Sequence, residues 1–364
     1  MANANFRTLG RSGLVISQLG LGTMTFGASG WGADAQTARG VFAAYVEGGG
    51  NFIDAADVYA GGRSEEMLGE FIADAGVRDR LVVATKAGFP RESGHPMAGG
   101  NSVKNILTGL DGSLRRMKTD YVDLFWLHVW DMVTPAAEVL QTMALLVRAG
   151  KIRYYGLSNV PAWYAAQMAT LAAAHGLPAP IALQAQYSLV DREIEREHIG
   201  AAQEFGLGVL GWSPLGGGFL TGKYNKDAIL KKAPSGFELP TVAGTSPKID
   251  GRLNGANPFG DTKFSNRNWE ILEVVKEVAK ELSCTPAQVA LAWAVSQPGV
   301  TGLIIGASHT EQLRANMTAM DIELSADQVA RLTVVSALDG LFFSAWLQRI
   351  VFGGQNVAAW RRAN

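Results

Sequence analysis

The chain has 364 residues, with 32 Lys and Arg against 33 Asp and Glu and a formal charge of −1. That leaves no basic excess for phosphate backbones or acidic lipid, and it argues against nucleic acid as a main partner. Hydrophobic residues make up 48% and the 43 glycines follow no Gly-X-Y period, which excludes disordered and collagen-like chains and places the glycines at turns.

The first residues, Met1 to Gly13, carry no apolar signal core, and the single Cys284 cannot form an internal disulfide. Both features fit a cytoplasmic protein. No stretch of about 20 continuous apolar residues follows, so no membrane association is expected. Eight short apolar runs then alternate with longer segments of helical period. They are 19–22, 51–54, 81–86, 122–128, 154–158, 181–186, 208–213 and 302–306. Such alternation predicts repeated βα units around a parallel sheet, and eight of them predict an α/β fold, the (β/α)₈ barrel. An open doubly wound sheet is the alternative, but no Gly-x-Gly-x-x-Gly follows the first run. Most runs are apolar until their last one or two residues, as expected of strands buried on both faces, so chemistry belongs at their carboxyl ends.

Between the runs, Ser102 opens a helix with Val103, Ile106, Leu107, Leu110, Leu114 and Met117 on one face. Thr285-Pro286-Ala287-Gln288 predicts a capping box with Pro in the first turn, and Ser308 to Glu311 and Ser325 to Gln328 repeat that spacing. Residues from Gly216 to Asn268 lack a period and include Pro234, Pro240, Pro247 and Pro258, which predicts a long loop over the barrel mouth. The barrel is expected to span residues 1–340. The tail, 341–364, is too apolar for a solvated terminus and is expected to pack on the barrel, the mouth or a subunit interface. A homo-oligomer stays open.

Four polar residues stand where reactive strand ends are expected. Asp54, Lys86 and His128 end the second, third and fourth runs, and Tyr59 follows Asp54 by five residues. A phenol titrates near pH 10 when unperturbed, and a nearby ammonium stabilises its anion. Lys86 can be that ammonium, Asp54 can hold it charged, and a neutral His128 can hydrogen-bond a substrate oxygen. The set suits protonation of a carbonyl oxygen that gains negative charge. Asp57 reads as a turn residue or a support for Tyr59. The five histidines show no metal-ligand spacing.

The segments 51–59, 62–69, 84–86 and 120–128 resemble the aldo-keto reductases. So do Gly156-Leu157-Ser158-Asn159, residues 184–188, Trp212-Ser213-Pro214-Leu215, Thr221-Gly222-Lys223 and Ile304-Ile305-Gly306-Ala307. The resemblance runs in family order from about Gly13 to Leu338. It implies reversible reduction of aldehydes or ketones with NADPH, with Tyr59 as acid, Asp54 and Lys86 tuning it, and His128 positioning the carbonyl. An NADPH-binding regulatory or redox-sensing subunit with little turnover is the alternative.

The resemblance further implies cofactor contacts from Gly22, Thr23, Met24 and Asp54, and a nicotinamide site at Ser158, Asn159 and Gln184. Trp212 would lie under the nicotinamide ring, with Ser213, Pro214, Leu215, Gly217 and Lys223 along the pyrophosphate. Gly306, Ser308, Gln312 and Asn316 match the adenosine end. Ser308 stands where many members carry Arg, a natural clamp for the 2′-phosphate. This leaves NADH open beside NADPH, with His309 or Arg314 as substitute cations and Ser308 as a simple N-cap in the alternative. Phe26, Trp31, Phe89 and Trp130 are expected to line an apolar pocket for a small carbonyl or alcohol substrate.

Overall fold

The computed structural model describes residues 5–227, 229, 253, 263–338, 350, 351 and 353–355. A short antiparallel hairpin, β1 (Phe6–Thr8) and β2 (Val15–Ser17), leads into β3 (Leu19–Gly22). The following strands are β4 (Phe52–Asp54), β5 (Val82–Ala87), β6 (Val122–Leu127) and β7 (Ile152–Ser158). They continue with β8 (Ala182–Gln186), β9 (Gly208–Trp212) and β10 (Gly302–Ile305). Strands β3 to β10 pair in parallel, in chain order, and β10 closes back onto β3. This is the expected (β/α)₈ barrel, and each of the eight apolar runs lies within a residue or two of a strand.

Helices α1 (Ala35–Glu47), α2 (Arg63–Ala75), α3 (Val103–Met117), α4 (Ala136–Arg148) and α5 (Ala162–His175) cover the outside of the first staves. After them come α6 (His198–Phe205), α7 (Asn266–Glu281), α8 (Pro286–Ser296), α9 (Thr310–Met317) and α10 (Ala326–Val335). The larger core cluster lies between strands and helices, where Leu21, Ile53, Phe125 and Leu157 meet Val41, Leu68, Leu110 and Val139. A second cluster fills the barrel itself with Phe52, Ala84, Leu124, Trp126, Leu210 and Ile304. Leu9 and Ile16 of the hairpin join that inner cluster, so the hairpin plugs the end of the barrel opposite the site. Strands of three residues are too short to show a period, which is why no sequence signal announces them.

Large and small side chains alternate inside the barrel. Trp126 is fully buried and pairs in register with Gly156 of β7, where an added Cβ would come within 2.3 Å of the indole ring. Gly156→Ala should therefore lower stability by about 1–3 kcal/mol through overpacking. The check is urea unfolding, where the midpoint should fall at constant slope; an unchanged midpoint would contradict the packing account.

Caps follow the expected chemistry at three helices and depart from it at one. Ser102 accepts from the Asn105 amide, and Thr285 and Ser325 form full capping boxes with Gln288 and Gln328. Val103 is a correction to the expected face: at the first helical position it is 39% exposed. The Ser308–Glu311 box does not form. The Ser308 amide and hydroxyl both donate to Gln312 Oε1, at 2.9 and 3.2 Å, and His309 takes the cap by accepting from the Gln312 amide at 3.2 Å.

The expected loop from Gly216 begins as a 3-10 turn over Gly216–Thr221, and α7 starts at Asn266, before its expected end. Most of the loop between, and most of the tail 341–364, lie outside the described residues. Among the described residues no helix is long and apolar enough to cross a membrane.

Candidate active site

Strand register brings the four polar residues to one rim. Gly22 pairs with Asp54, and Asp54 with Ala84. Lys86 lies two residues beyond Ala84, on the same inward face, so its long side chain turns back over Asp54. The Lys86 ammonium forms an ion pair with Asp54 Oδ2, donates to the Ala55 carbonyl at 2.9 Å and donates to the Tyr59 hydroxyl at 3.2 Å. On its other oxygen, Asp54 accepts from the Gln184 amide at 3.1 Å. The rings of Tyr59 and His128 stand edge to face, 6.0 Å between centroids.

The electrostatics follow from burial. Lys86 and Asp54 are both fully or nearly fully buried. Burial, the largest single influence, would lower the Lys86 value, but Asp54 and Tyr59 together overcome it and hold the ammonium above its ordinary range. Burial pushes the Asp54 carboxyl up, while Lys86 and Gln184 pull it back. Burial, followed by the Lys86 charge, drives His128 well below the usual imidazole value. His128 is therefore neutral at ordinary pH, a hydrogen-bond partner and not a cation. Its Nδ1 is buried without a partner among the described residues. The site thus holds one half-buried phenol against a fixed cation, with a neutral imidazole beside it. Such a set can donate a proton to an oxygen developing negative charge.

Around this centre lie the residues expected to meet a dinucleotide. Ser158 of β7 pairs in register with Gln184 of β8, and Gln186 with Trp212 of β9. Asn159 links them: its Nδ2 donates to the His128 carbonyl at 3.0 Å and to Ser158 Oγ at 3.1 Å, and its Oδ1 accepts from the Trp212 indole at 3.1 Å. Gly22 and Thr23 are buried at the end of β3. The Thr23 side chain donates to the Asp54 carbonyl and accepts from Ser64, and Met24 beside it is half-buried. Pro214 and Leu215 lead from β9 into the Gly216–Thr221 turn, where Ser213 Oγ accepts from the Gly217 amide at 3.1 Å.

Two observations test whether a nicotinamide dinucleotide fits. Gly217 and Gly218 both take left-handed backbone, and a Cβ on Gly218 would lie 3.0 Å from the Lys223 ammonium. A bare turn roofed by a cation suits a phosphate group. At the other end, the buried Asn316 amide nitrogen has no partner among the described residues. The residues therefore fit the group. Gly306 is exposed above them. The substitutes are otherwise engaged: Arg314 pairs with Glu47 at 3.2 Å, and His309 spends Nδ1 on the cap of α9. No group of three or more His, Cys, Asp or Glu among the described residues is placed to hold a metal ion.

The four aromatic residues expected around a substrate pocket separate. Phe89 packs edge-on against His128, 4.6 Å between centroids, directly beside the polar centre. Trp31 is 37% exposed. Phe26 is a correction: it is fully buried against Phe71 of α2, a core residue that no substrate could reach. Trp130 sets its ring against Trp163 and Tyr164 of α5 and lines a cleft of about 480 Å³ with residues from the starts of α4 and α5.

Sequence reasoning missed two ion pairs with buried carboxylates behind the site, Asp57 with Arg91 and Glu65 with Arg116. Glu65 also accepts from the Thr85 hydroxyl. It missed the backbone strain as well. Ala60, Met132, Asn159 and Ser213 all have positive φ on loops or strand ends at the rim, a distribution typical of functional sites.

Comparison with known proteins accords with this geometry. A profile of the Aldo/keto reductase family matches residues 18–337. The chain is 36% identical, over 87% of its length and 91% of the relative's, to a probable voltage-gated potassium channel subunit beta of Oryza sativa subsp. japonica. It is 34% identical to an uncharacterized oxidoreductase of Bacillus subtilis, over 88% of this chain and 92% of that one. It is also 32% identical to norsolorinic acid reductase of Emericella nidulans, over 92% of this chain and 82% of that one.

Proposed function

Because the chain belongs to the aldo/keto reductase family, with relatives named as oxidoreductases, we propose that it is an NADPH-dependent carbonyl reductase acting reversibly on aldehydes or ketones. The observation that carries this reading is the Tyr59 hydroxyl held 3.2 Å from a buried Lys86 ammonium. When bound, the reduced nicotinamide supplies hydride to the carbonyl carbon. The chain's own residues do the rest. His128 and Tyr59 receive the carbonyl oxygen between them, and Phe89 walls the substrate side. Tyr59 gives its proton to that oxygen, and the phenolate left behind is stabilised by Lys86, whose charge Asp54 maintains. Trp212, Ser158, Asn159 and Gln184 hold the nicotinamide end, and the Gly217 turn with Lys223 takes the pyrophosphate. Expected surroundings are the cytoplasm, with a small molecule as the main partner.

A panel of carbonyls and alcohols, run with NADPH and NADH and followed at the reduced-nicotinamide absorbance, tests the reading. Brisk oxidation of cofactor by one carbonyl class supports it, and no turnover anywhere refutes it.

Cofactor preference is expected to be modest, because Ser308 offers no charge, Arg314 faces Glu47 and His309 is taken by the cap of α9. Ser308→Arg should improve the affinity for NADPH relative to NADH by about tenfold, the value of one charge-assisted hydrogen bond. Titration of tryptophan fluorescence with each dinucleotide reads this; an unchanged ratio would place the 2′-phosphate elsewhere.

A second reading draws on the relative named as a potassium channel subunit beta: a cofactor-binding subunit that regulates a partner. Slow turnover with tight cofactor binding would favour it over the first.

A further inference from the structure

One buried carboxylate takes no part in the chemistry above. Asp57 lies two residues before Tyr59 and its side chain is fully buried. Its backbone amide donates to the Lys86 carbonyl at 3.0 Å. Arg91 Nη1 donates to Asp57 Oδ2 at 3.2 Å, and Oδ1 has no partner among the described residues. Arg91 in turn follows Phe89 by two residues, its other nitrogen donates to Asn105 Oδ1 of α3, and its amide donates to the Ala98 carbonyl at 3.1 Å. Helix α3 seals the pair with Gly109, where a Cβ would lie 2.6 Å from Ala87 Cβ, 3.2 Å from Arg91 Nη1 and 3.4 Å from Asp57 Oδ2.

We infer that the Asp57–Arg91 ion pair is a positioning clasp: it ties the turn that carries Tyr59 to the loop that carries Phe89, and it works only while Asp57 is ionised. The inference rests on the proposed role of Tyr59. Asp57 and Arg91 act through the loops they join, the first two residues before Tyr59 and the second two residues after Phe89. Asp57 is out of water while Arg91 keeps 23% of its side chain exposed, and protonation of Asp57 removes the charge that draws the two loops together. Misplacement of a reacting group by about 1 Å costs up to about a hundredfold in rate.

The charges facing Asp57 are Arg91 from the loop after β5, Glu65 from α2 and Arg116 from α3. Burial raises its carboxyl to about 6, with Glu65 adding to the rise and the two arginines opposing it. A raised carboxyl makes the folded state bind its proton more tightly than the unfolded chain does. Acidification from pH 7 to 5 thus adds stability through Asp57 while it opens the clasp. Loss of turnover below pH 6 without loss of fold is then the mark of positioning.

The experiment compares the native chain, Asp57→Asn and Arg91→Met from pH 5 to 8, measuring kcat for a carbonyl substrate, NADPH affinity by fluorescence, and folding by circular dichroism. Native kcat should fall about tenfold across the acid limb. Asp57→Asn should be slow and flat over the whole range, with NADPH affinity retained. Arg91→Met removes a cation that opposes protonation of Asp57, so its acid limb should move to higher pH, and the double variant should be no slower than either single one. A native-like acid limb in Asp57→Asn, or cofactor affinity lost in step with turnover, would overturn the clasp. Arg91→Met carries the test alone if Asp57→Asn does not fold. Tyr59→Phe, run in parallel, separates two failures. The clasp is wrong by itself when Tyr59→Phe is inactive and Asp57→Asn is unimpaired, and it falls with the acid assignment when Tyr59→Phe turns over normally.

Discussion

Lys86→Met is expected to cost about 3–5 kcal/mol of stability together with carbonyl turnover, because it strands the buried Asp54 carboxylate without its cation. The side chains of both residues are no more than 2% exposed, so water cannot replace the lost partner. Gln184 offers Asp54 Oδ1 a neutral donor, which softens the loss without cancelling it. The Asp54→Asn/Lys86→Met double variant removes both charges and should regain most of the stability while staying inactive. That split separates the structural role of the pair from its action on Tyr59. Equal stability of the single and double variants would contradict a charge-based account. The sign with pH is set by Lys86: its folded value is raised, so its contribution is complete below the unfolded lysine value and fades only as alkali passes the folded one. Asp54 adds a contribution of the same sign: burial pushes its carboxyl up, so its proton favours the folded state in acid and that gain fades as pH rises through the folded value.

Tyr59→Phe should lower kcat by about 10²–10⁴-fold, the range for loss of a positioned general acid, with NADPH affinity within about twofold of native. The substitution removes one oxygen from a half-buried ring, and the stacking partner His128 and the cation beneath remain. His128 is held neutral by burial and by Lys86, so it cannot supply the missing proton at ordinary pH. A modest drop in kcat would mean that another group, or water, protonates the substrate oxygen.

Much of this site could be read from strand ends. Asp54, Lys86 and His128 stand out because each interrupts an apolar run at its last residue, and the barrel turns chain order into spatial neighbourhood. Ser158 and Gln184 are marked by the family resemblance and not by the strand pattern, since Gln184 stands two residues before the end of its run. On the loops Tyr59 is marked by its spacing from Asp54, but other residues are not. Phe26 and Trp130 follow strands just as Phe89 does, yet tertiary packing draws the first into the core against Phe71 and the second onto α5. The Asp57–Arg91 pair joins two loops 34 residues apart, with no period to mark it. Ser308 and His309 both suit an N-cap, and only the placement of Gln312 decides that His309 takes it. The hairpin that plugs the barrel consists of strands too short to declare themselves.

The account depends on a phenol that gives its proton beside a bound dinucleotide, and single-turnover absorbance tests this most directly. Native chain and Tyr59→Phe are each loaded with NADPH, mixed rapidly with an aldehyde that the native chain reduces, and followed at the reduced-nicotinamide band. The account predicts rapid loss of absorbance in the native chain and, in Tyr59→Phe, cofactor that stays bound and reduced. Equal decay in both would contradict it.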